Sequence, residues 1–228
     1  MKKIILLFFL ILIPGISQAA CDDPLTDGVD YTNCRFSDGQ DLQGSYLPNS
    51  NLSFASFIQV NFDKSIMMTS NLSFGTFPES TFVRANLYES TLVGGNFEKA
   101  NFTGANMTRV DFMGSTLIEA NFQNANLMES NFTSSNMTNA NFDGANLYES
   151  TLVGGNFEKA NFTGANMTRV DFMGSTLIET NFQNANLMEA NFTSSNMTNA
   201  NFDGANLIGA IWTNGETCGP NSIGVCNK

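Results

Sequence analysis

The chain has 228 residues and a formal net charge of -11, with no His, a single Trp and only 14% charged residues. Without His, a Ser-His-Asp or Cys-His arrangement cannot be built. The negative charge repels phosphate backbones, so nucleic acid is not an expected partner.

Residues 1–19 read as a signal peptide. Lys2 and Lys3 form a positive start, and residues 4–13 are an unbroken apolar run. That run is too short to cross a bilayer as a helix, so no stable membrane insertion is expected after cleavage. Pro14 and Gly15 break it, and Ser17-Gln18-Ala19 supplies small residues at the two positions a signal peptidase reads, placing cleavage after Ala19. The mature chain is therefore expected to be exported, to a periplasm or beyond the cell. A competing reading makes Cys21 the lipidated residue of a lipoprotein, but Gln18 stands where that signal wants an aliphatic side chain.

The four cysteines, Cys21, Cys34, Cys218 and Cys226, lie only near the two ends of the mature chain. An even number in an exported protein favours disulfides. A zinc site would need closer spacing or His, so no metal is expected.

Between the cysteine-bearing ends the sequence repeats. Residues 86–145 recur as 146–205, with only Ala120 against Thr180 and Ser130 against Ala190 differing. Inside each block runs a period of five, as in Ala100-Asn101-Phe102-Thr103-Gly104 followed by Ala105-Asn106-Met107-Thr108-Arg109. From Leu42 to Trp212 every fifth residue is Leu, Phe, Met or Trp, 35 positions without a break. The residue two before is small except at Gln40, Val60, Val110 and Val170. Of the 19 phenylalanines after the signal, 16 hold the central position.

A step of five spirals around every face of an α-helix and alternates faces on a straight strand. A chain that turns a corner every few residues does fit. The central and small residues then face inward, and Asn faces outward between them. The remaining two residues make the corner, where Gly104, Gly114, Asn124 and Asn139 suit positive φ.

On this motif the segment 40–212 resembles the pentapeptide repeat family. The resemblance implies an all-β fold, a right-handed, parallel, quadrilateral β-helix with 20 residues per coil, hence about nine coils. The sequence carries its own sign of that period. Leu42, Phe62, Phe82, Phe102, Phe122, Phe142, Phe162, Phe182 and Phe202 form one column at steps of 20, beside a Leu/Met column from Leu47 to Leu207. Caps are expected at 20–39, with Cys21 and Cys34, and at 213–228, with Cys218 and Cys226. The latter resembles the disulfide-closed tail of some exported relatives. At about 4.8 Å per coil the rod is roughly 40 Å long, while bridged Cα atoms lie within about 7 Å. Of the three pairings, Cys21–Cys34 and Cys218–Cys226 are therefore expected.

Carboxylates fall on outward positions of a convex rod, and no catalytic or cofactor-binding residue is assigned. Asp111 and Asp171 take the Asn position of the repeat. The sequons, such as those at Asn51 and Asn101, arise from the repeat itself. Glu79, Lys99 and Glu119 share a column, as do Glu89, Arg109 and Glu129, and both are expected to pair between coils. The outward residues Met68, Tyr88, Met128, Tyr148, Met188 and Ile208 stack into a stripe that reads as an interaction surface. A second row holds Val93, Met113, Thr133, Val153, Met173 and Thr193. The expected function is an exported, non-enzymatic scaffold that binds a protein partner or a second copy. Some family members instead protect DNA gyrase as acidic imitations of DNA, an alternative that a signal peptide disfavours.

Overall fold

The computed structural model describes Cys21 and residues 26–228. The expected signal segment and its cleavage point lie outside the described residues.

Each pentapeptide contributes one bridge residue and one two-residue turn. The bridges are parallel and join residues 20 apart, such as Asn101 with Asn121 and Asn106 with Asn126. Four bridge residues thus complete one coil of a parallel β-helix. Side 1 carries the bridge residues from Asp41 to Asn201, side 2 those from Tyr46 to Asn206, side 3 those from Asp30 to Ile211 and side 4 those from Arg35 to Asn196. Turns 1 to 4 follow sides 1 to 4, and the central residue stands just before each turn.

Backbone hydrogen bonds run both ways from every inner coil. Phe122 N–H donates to Asn141 C=O at 2.6 Å in the next coil, and Asn121 N–H to Ala100 C=O at 2.9 Å in the one before. The bridge Asn earns its frequency twice. Its Oδ1 accepts the N–H two residues on, as Asn101 does from Thr103 at 3.1 Å, which starts the turn. Its Nδ2 reaches the coil before, as Asn141 does to Asn121 at 3.1 Å. The second turn residue has positive φ whatever its type, from Gly104 at 64° to Arg109 at 59° and Phe54 at 58°. Continuous cross-coil bonding holds side chains in a conformation that otherwise costs about 1–3 kcal/mol each.

The central residues are buried from Tyr31 to Phe192. Phenylalanines 62 to 202 on side 1 stack with ring centroids 4.6–5.4 Å apart. Sides 3 and 4 divide a second Phe between them. Where side 3 has Leu72, Leu92 or Leu152, side 4 has Phe77, Phe97 or Phe157; where side 3 has Phe112, Phe132 or Phe172, side 4 has Leu117, Met137 or Leu177. The interior therefore keeps nearly constant volume per coil, as close packing requires. The inward small residue follows suit. Gly75, Gly95 and Gly155 precede Phe77, Phe97 and Phe157, and an added Cβ would stand 2.5–2.6 Å from those rings. Inward serines bond to backbone, as Ser90 Oγ does to Met67 C=O at 2.6 Å. Ser65 Oγ is the one buried side-chain group without a partner among the described residues.

The β-helix starts earlier than the expected boundary at residue 40. Asp30 and Arg35 bridge Asn51 and Ser56, and Tyr31 and Phe36 are buried as central residues, so this part of the expected cap is coil. The step here is 21 residues, because one extra residue sits between Phe36 and Leu42. Cys34 takes the inward small position and is bonded to Cys21, Cα–Cα 5.4 Å.

At the other end, residues 213–228 fold back over the last coil. Thr217 and Ile223 pair antiparallel with Ile211 and Asn206, and Cys218 is bonded to Cys226, Cα–Cα 5.0 Å. This tail covers sides 2 and 3 only. Met197 and Phe202, on sides 4 and 1, are left half-buried.

Candidate functional site

The expected stripe occupies the first residue of turn 2. Met68, Tyr88, Met128, Tyr148, Met188 and Ile208 all lie there, each half-buried in the wall. The second residue of the same turn carries charge. Arg109 Nε donates to Glu129 at 2.9 Å and its Nη1 to Glu89 at 3.2 Å, with the Tyr88 hydroxyl 3.5 Å away. Sixty residues on, Arg169 repeats the arrangement with Glu189 at 2.7 Å, Glu149 at 3.0 Å and Tyr148 at 3.1 Å.

These contacts reach the protonation equilibria. Hydrogen bonds from Tyr88 and then Arg109 hold the Glu89 carboxyl below its usual range, and Tyr148 and Arg169 do the same for Glu149. The Tyr88 and Tyr148 hydroxyls are pushed up, first by the hydrogen bond to Glu89 or Glu149. Both arginines are raised, chiefly by Glu129 and Glu189. Glu129 and Glu149, adjacent like charges at the junction of the duplicated blocks, are each held by their own Arg.

Turn 4 departs from expectation. Lys99 does not bridge Glu79 and Glu119; it pairs with Glu98 of its own turn at 3.8 Å. Glu79 instead accepts from Gln59 at 2.9 Å. In the second block Lys159 pairs with Glu158 at 3.2 Å and reaches Glu179 at 4.0 Å. The contrast follows from shape: the planar guanidinium fork spans two coils, whereas an ammonium is a point charge that takes its nearest partner.

The most exposed large apolar side chains lie off the stripe. Phe54 and Phe74, 56% and 53% exposed, stack at 5.1 Å on turn 3, and Phe74 lies over Gly94. Met113 and Met173 follow on the same turn, and Ile223 and Val225 stand on the tail. The signal for Phe54 and Phe74 was present in the sequence: with Phe36 they are the three phenylalanines after residue 19 that fall off the 42–212 series. Among the described residues no three His, Cys, Asp or Glu side chains group as metal ligands, and no helix is long and apolar enough to cross a membrane.

Two family models match the chain: a pentapeptide repeat region over residues 105–182, and pentapeptide repeats (8 copies) over residues 41–73, 80–117 and 176–211. No curated protein matches. Among solved structures, HetL, a pentapeptide repeat protein involved in heterocyst differentiation regulation in the cyanobacterium Nostoc sp. strain PCC 7120, is 22% identical, with 84% of this chain and 92% of that one covered and a TM-score of 0.28. Full-length QnrB1, a plasmid-mediated fluoroquinolone resistance protein, is 17% identical over 84% and 88% of the two chains, TM-score 0.39. A pentapeptide repeat protein of the Arabidopsis thaliana thylakoid lumen is 25% identical over 58% and 68%, TM-score 0.17.

Proposed function

The chain belongs to the pentapeptide repeat family, and from that premise we propose that it is an exported, non-enzymatic rod that binds protein along turn 2. In this reading the rod is right-handed and four-sided with about nine coils, and residues 1–19 carry it out of the cytoplasm. The two disulfides are compatible with an oxidising compartment.

One observation carries the binding role. The Tyr88–Arg109 cluster recurs in the same column as Tyr148–Arg169, with Met128 between and Met188 beyond. Three coils separate the copies, about 14 Å. Tyr, Met and Arg are the residue types that interfaces favour over other surface, and a rigid row of them offers a regular partner two equivalent anchors. The second reading, an acidic imitation of DNA, draws on the net charge of -11. Turn 2 speaks against it, because Arg109 and Arg169 interrupt its acids in place of an unbroken anionic track.

Replacing Tyr88, Met128, Tyr148 and Met188 together with Ser or Thr tests the reading. The far-UV circular dichroism should keep its β form while co-purification and self-association fall at least about tenfold. If fold and all association both survive, turn 2 is wall and nothing more.

A further inference from the structure

The repeat, continued past Trp212, would lay Glu216 and Asn221 over sides 4 and 1 of the last coil. The chain turns back instead. Gly215 N–H donates to Trp212 C=O at 2.9 Å, Glu216 N–H donates to Asn214 Oδ1 at 3.2 Å, and the tail then crosses sides 3 and 2. Half a coil, residues 195–204, is left as an edge. Among the described residues, the N–H groups of Met197, Asn199, Phe202 and Gly204 find no acceptor there, and the carbonyls of Ser195 and Ala200 find no donor. Met197 and Phe202 stand half-buried behind them.

The molecule holds the same edge a second time, covered. Residues 135–144 have the sequence of 195–204. Over them, the carbonyls of Asn156, Glu158, Asn161 and Thr163 accept from Met137, Asn139, Phe142 and Gly144 at 2.7–2.9 Å. The N–H groups of Asn156 and Asn161 donate to Ser135 and Ala140 at 2.9 Å, and the Phe162 ring stacks on Phe142 at 4.6 Å. What fits this sequence is therefore an extended segment, two pentapeptides long, that adds one parallel strand to each side. We propose that residues 195–204 form a peptide-binding edge, and that its occupant is an extended segment of another protein with two large apolar residues five apart.

The edge selects against a second copy. Paired with itself about a twofold axis, it presents twice as many donors as acceptors, and N–H groups are left facing N–H groups. End-to-end stacking fails on space. Residues 26–28 form a turn one layer ahead of the first coil, where Gly28 N–H donates to Pro48 C=O at 3.0 Å and Asn49 Nδ2 to Asp27 at 3.2 Å. That turn would need the room the last coil occupies. The repeats inside a folded copy are already stacked, so it has no segment to offer.

Nothing in the edge itself repels a strand. Its only charge is Asp203, and it has neither the Pro nor the Lys that blunt open strand edges. The covered half carries both, as Pro220 and Lys228 of the tail. The interior sets the anchors. Trp212 stands on side 3 where the covered edge has Leu152, and sides 3 and 4 share a fixed volume. The first anchor, over Met197, is therefore Leu or Met in place of Phe157. The second is Phe, stacked on Phe202 as Phe162 is on Phe142.

A synthetic peptide of residues 155–164 carrying Phe157→Leu, with both ends capped, tests this on the mature, disulfide-bonded protein. Trp212 is the single Trp and packs on Phe202, so its emission reports the site, and the peptide has neither Trp nor Tyr. Emission should change saturably with a Kd below about 1 mM. At saturation, the amides of Met197, Asn199, Phe202 and Gly204 should exchange at least about tenfold more slowly. Methylating the peptide nitrogen of Asn161 removes the N–H that Ala200 would accept, and Phe162→Ala in the peptide removes the second anchor. Each should bind at least about tenfold more weakly, with the protein unaltered. The protein with Tyr88, Met128, Tyr148 and Met188 replaced should bind the peptide as the wild type does, which keeps this edge and turn 2 separable. No saturable change, equal binding of the methylated peptide, or protection gained away from residues 195–204 would each overturn the edge and leave the turn 2 reading standing.

Discussion

Residues 136–145 and 196–205 are the same ten-residue sequence in two neighbourhoods. In the first, the N–H groups of Met137, Asn139, Phe142 and Gly144 donate to Asn156, Glu158, Asn161 and Thr163 at 2.7–2.9 Å. In the second, the same four groups, on Met197, Asn199, Phe202 and Gly204, donate to no carbonyl among the described residues. Met137 and Phe142 are fully buried, while Met197 and Phe202 are half-buried. The local sequence sets the shape of a coil; a neighbouring coil supplies much of what holds it. Repeat proteins gain stability mainly at such interfaces, which is why the disulfide-closed tail matters on the side it covers.

The comparison can be broken in order of size. Phe142→Ala should cost about 3–5 kcal/mol, and Phe202→Ala about half as much, because part of its ring already meets water; urea unfolding followed by circular dichroism measures both. Removing the tail bridge with Cys218→Ser/Cys226→Ser should cost about 2–3 kcal/mol for so short a loop. Trp212, the single Trp, packs on Phe192 and Phe202 in the last coil. Its fluorescence should change in that variant before the bulk β signal does. A coincident transition would mean that the last coil is not the weaker one. Gly95→Ala should cost about 1–3 kcal/mol by forcing Cβ into the Phe97 ring. Adding Phe97→Leu should recover part of that loss, since Leu117 accepts Ser115 before it.

Smallest is the acid response of turn 2. The Glu89 and Glu149 carboxyls are lowered by their hydrogen bonds from Tyr and Arg. Their contribution is therefore present above the unfolded carboxyl range and is lost as pH falls through the lowered folded values. The thermal midpoint of the wild type should fall slightly more between about pH 5 and pH 3 than that of Glu89→Gln/Glu149→Gln.

Much of this was legible from spacing. A period of five with a Phe column at steps of 20 leads to the inside and outside of the coil, and rod length then separates the cysteines into the two bonded pairs. The first coil escaped because one inserted residue shifts Tyr31 and Phe36 out of the series that starts at Leu42. Corner chemistry misled for a different reason. Gly and Asn announce positive φ, yet Phe54, Glu89 and Arg109 adopt it too, because the stack imposes what the residue alone disfavours. Column sharing predicted the arginine bridges but not the choice of Lys99 for Glu98. That depends on side-chain reach, which spacing does not carry. The trade of Phe between sides 3 and 4 is visible in the sequence only once the sides are known.

Residue-resolved hydrogen exchange compares the two identical segments most directly. If coils are held by their neighbours at a step of 20 residues, the amides of Met137, Asn139, Phe142 and Gly144 should exchange at least about a hundredfold more slowly than those of Met197, Asn199, Phe202 and Gly204. Equal protection in the two segments would contradict the stacking described above.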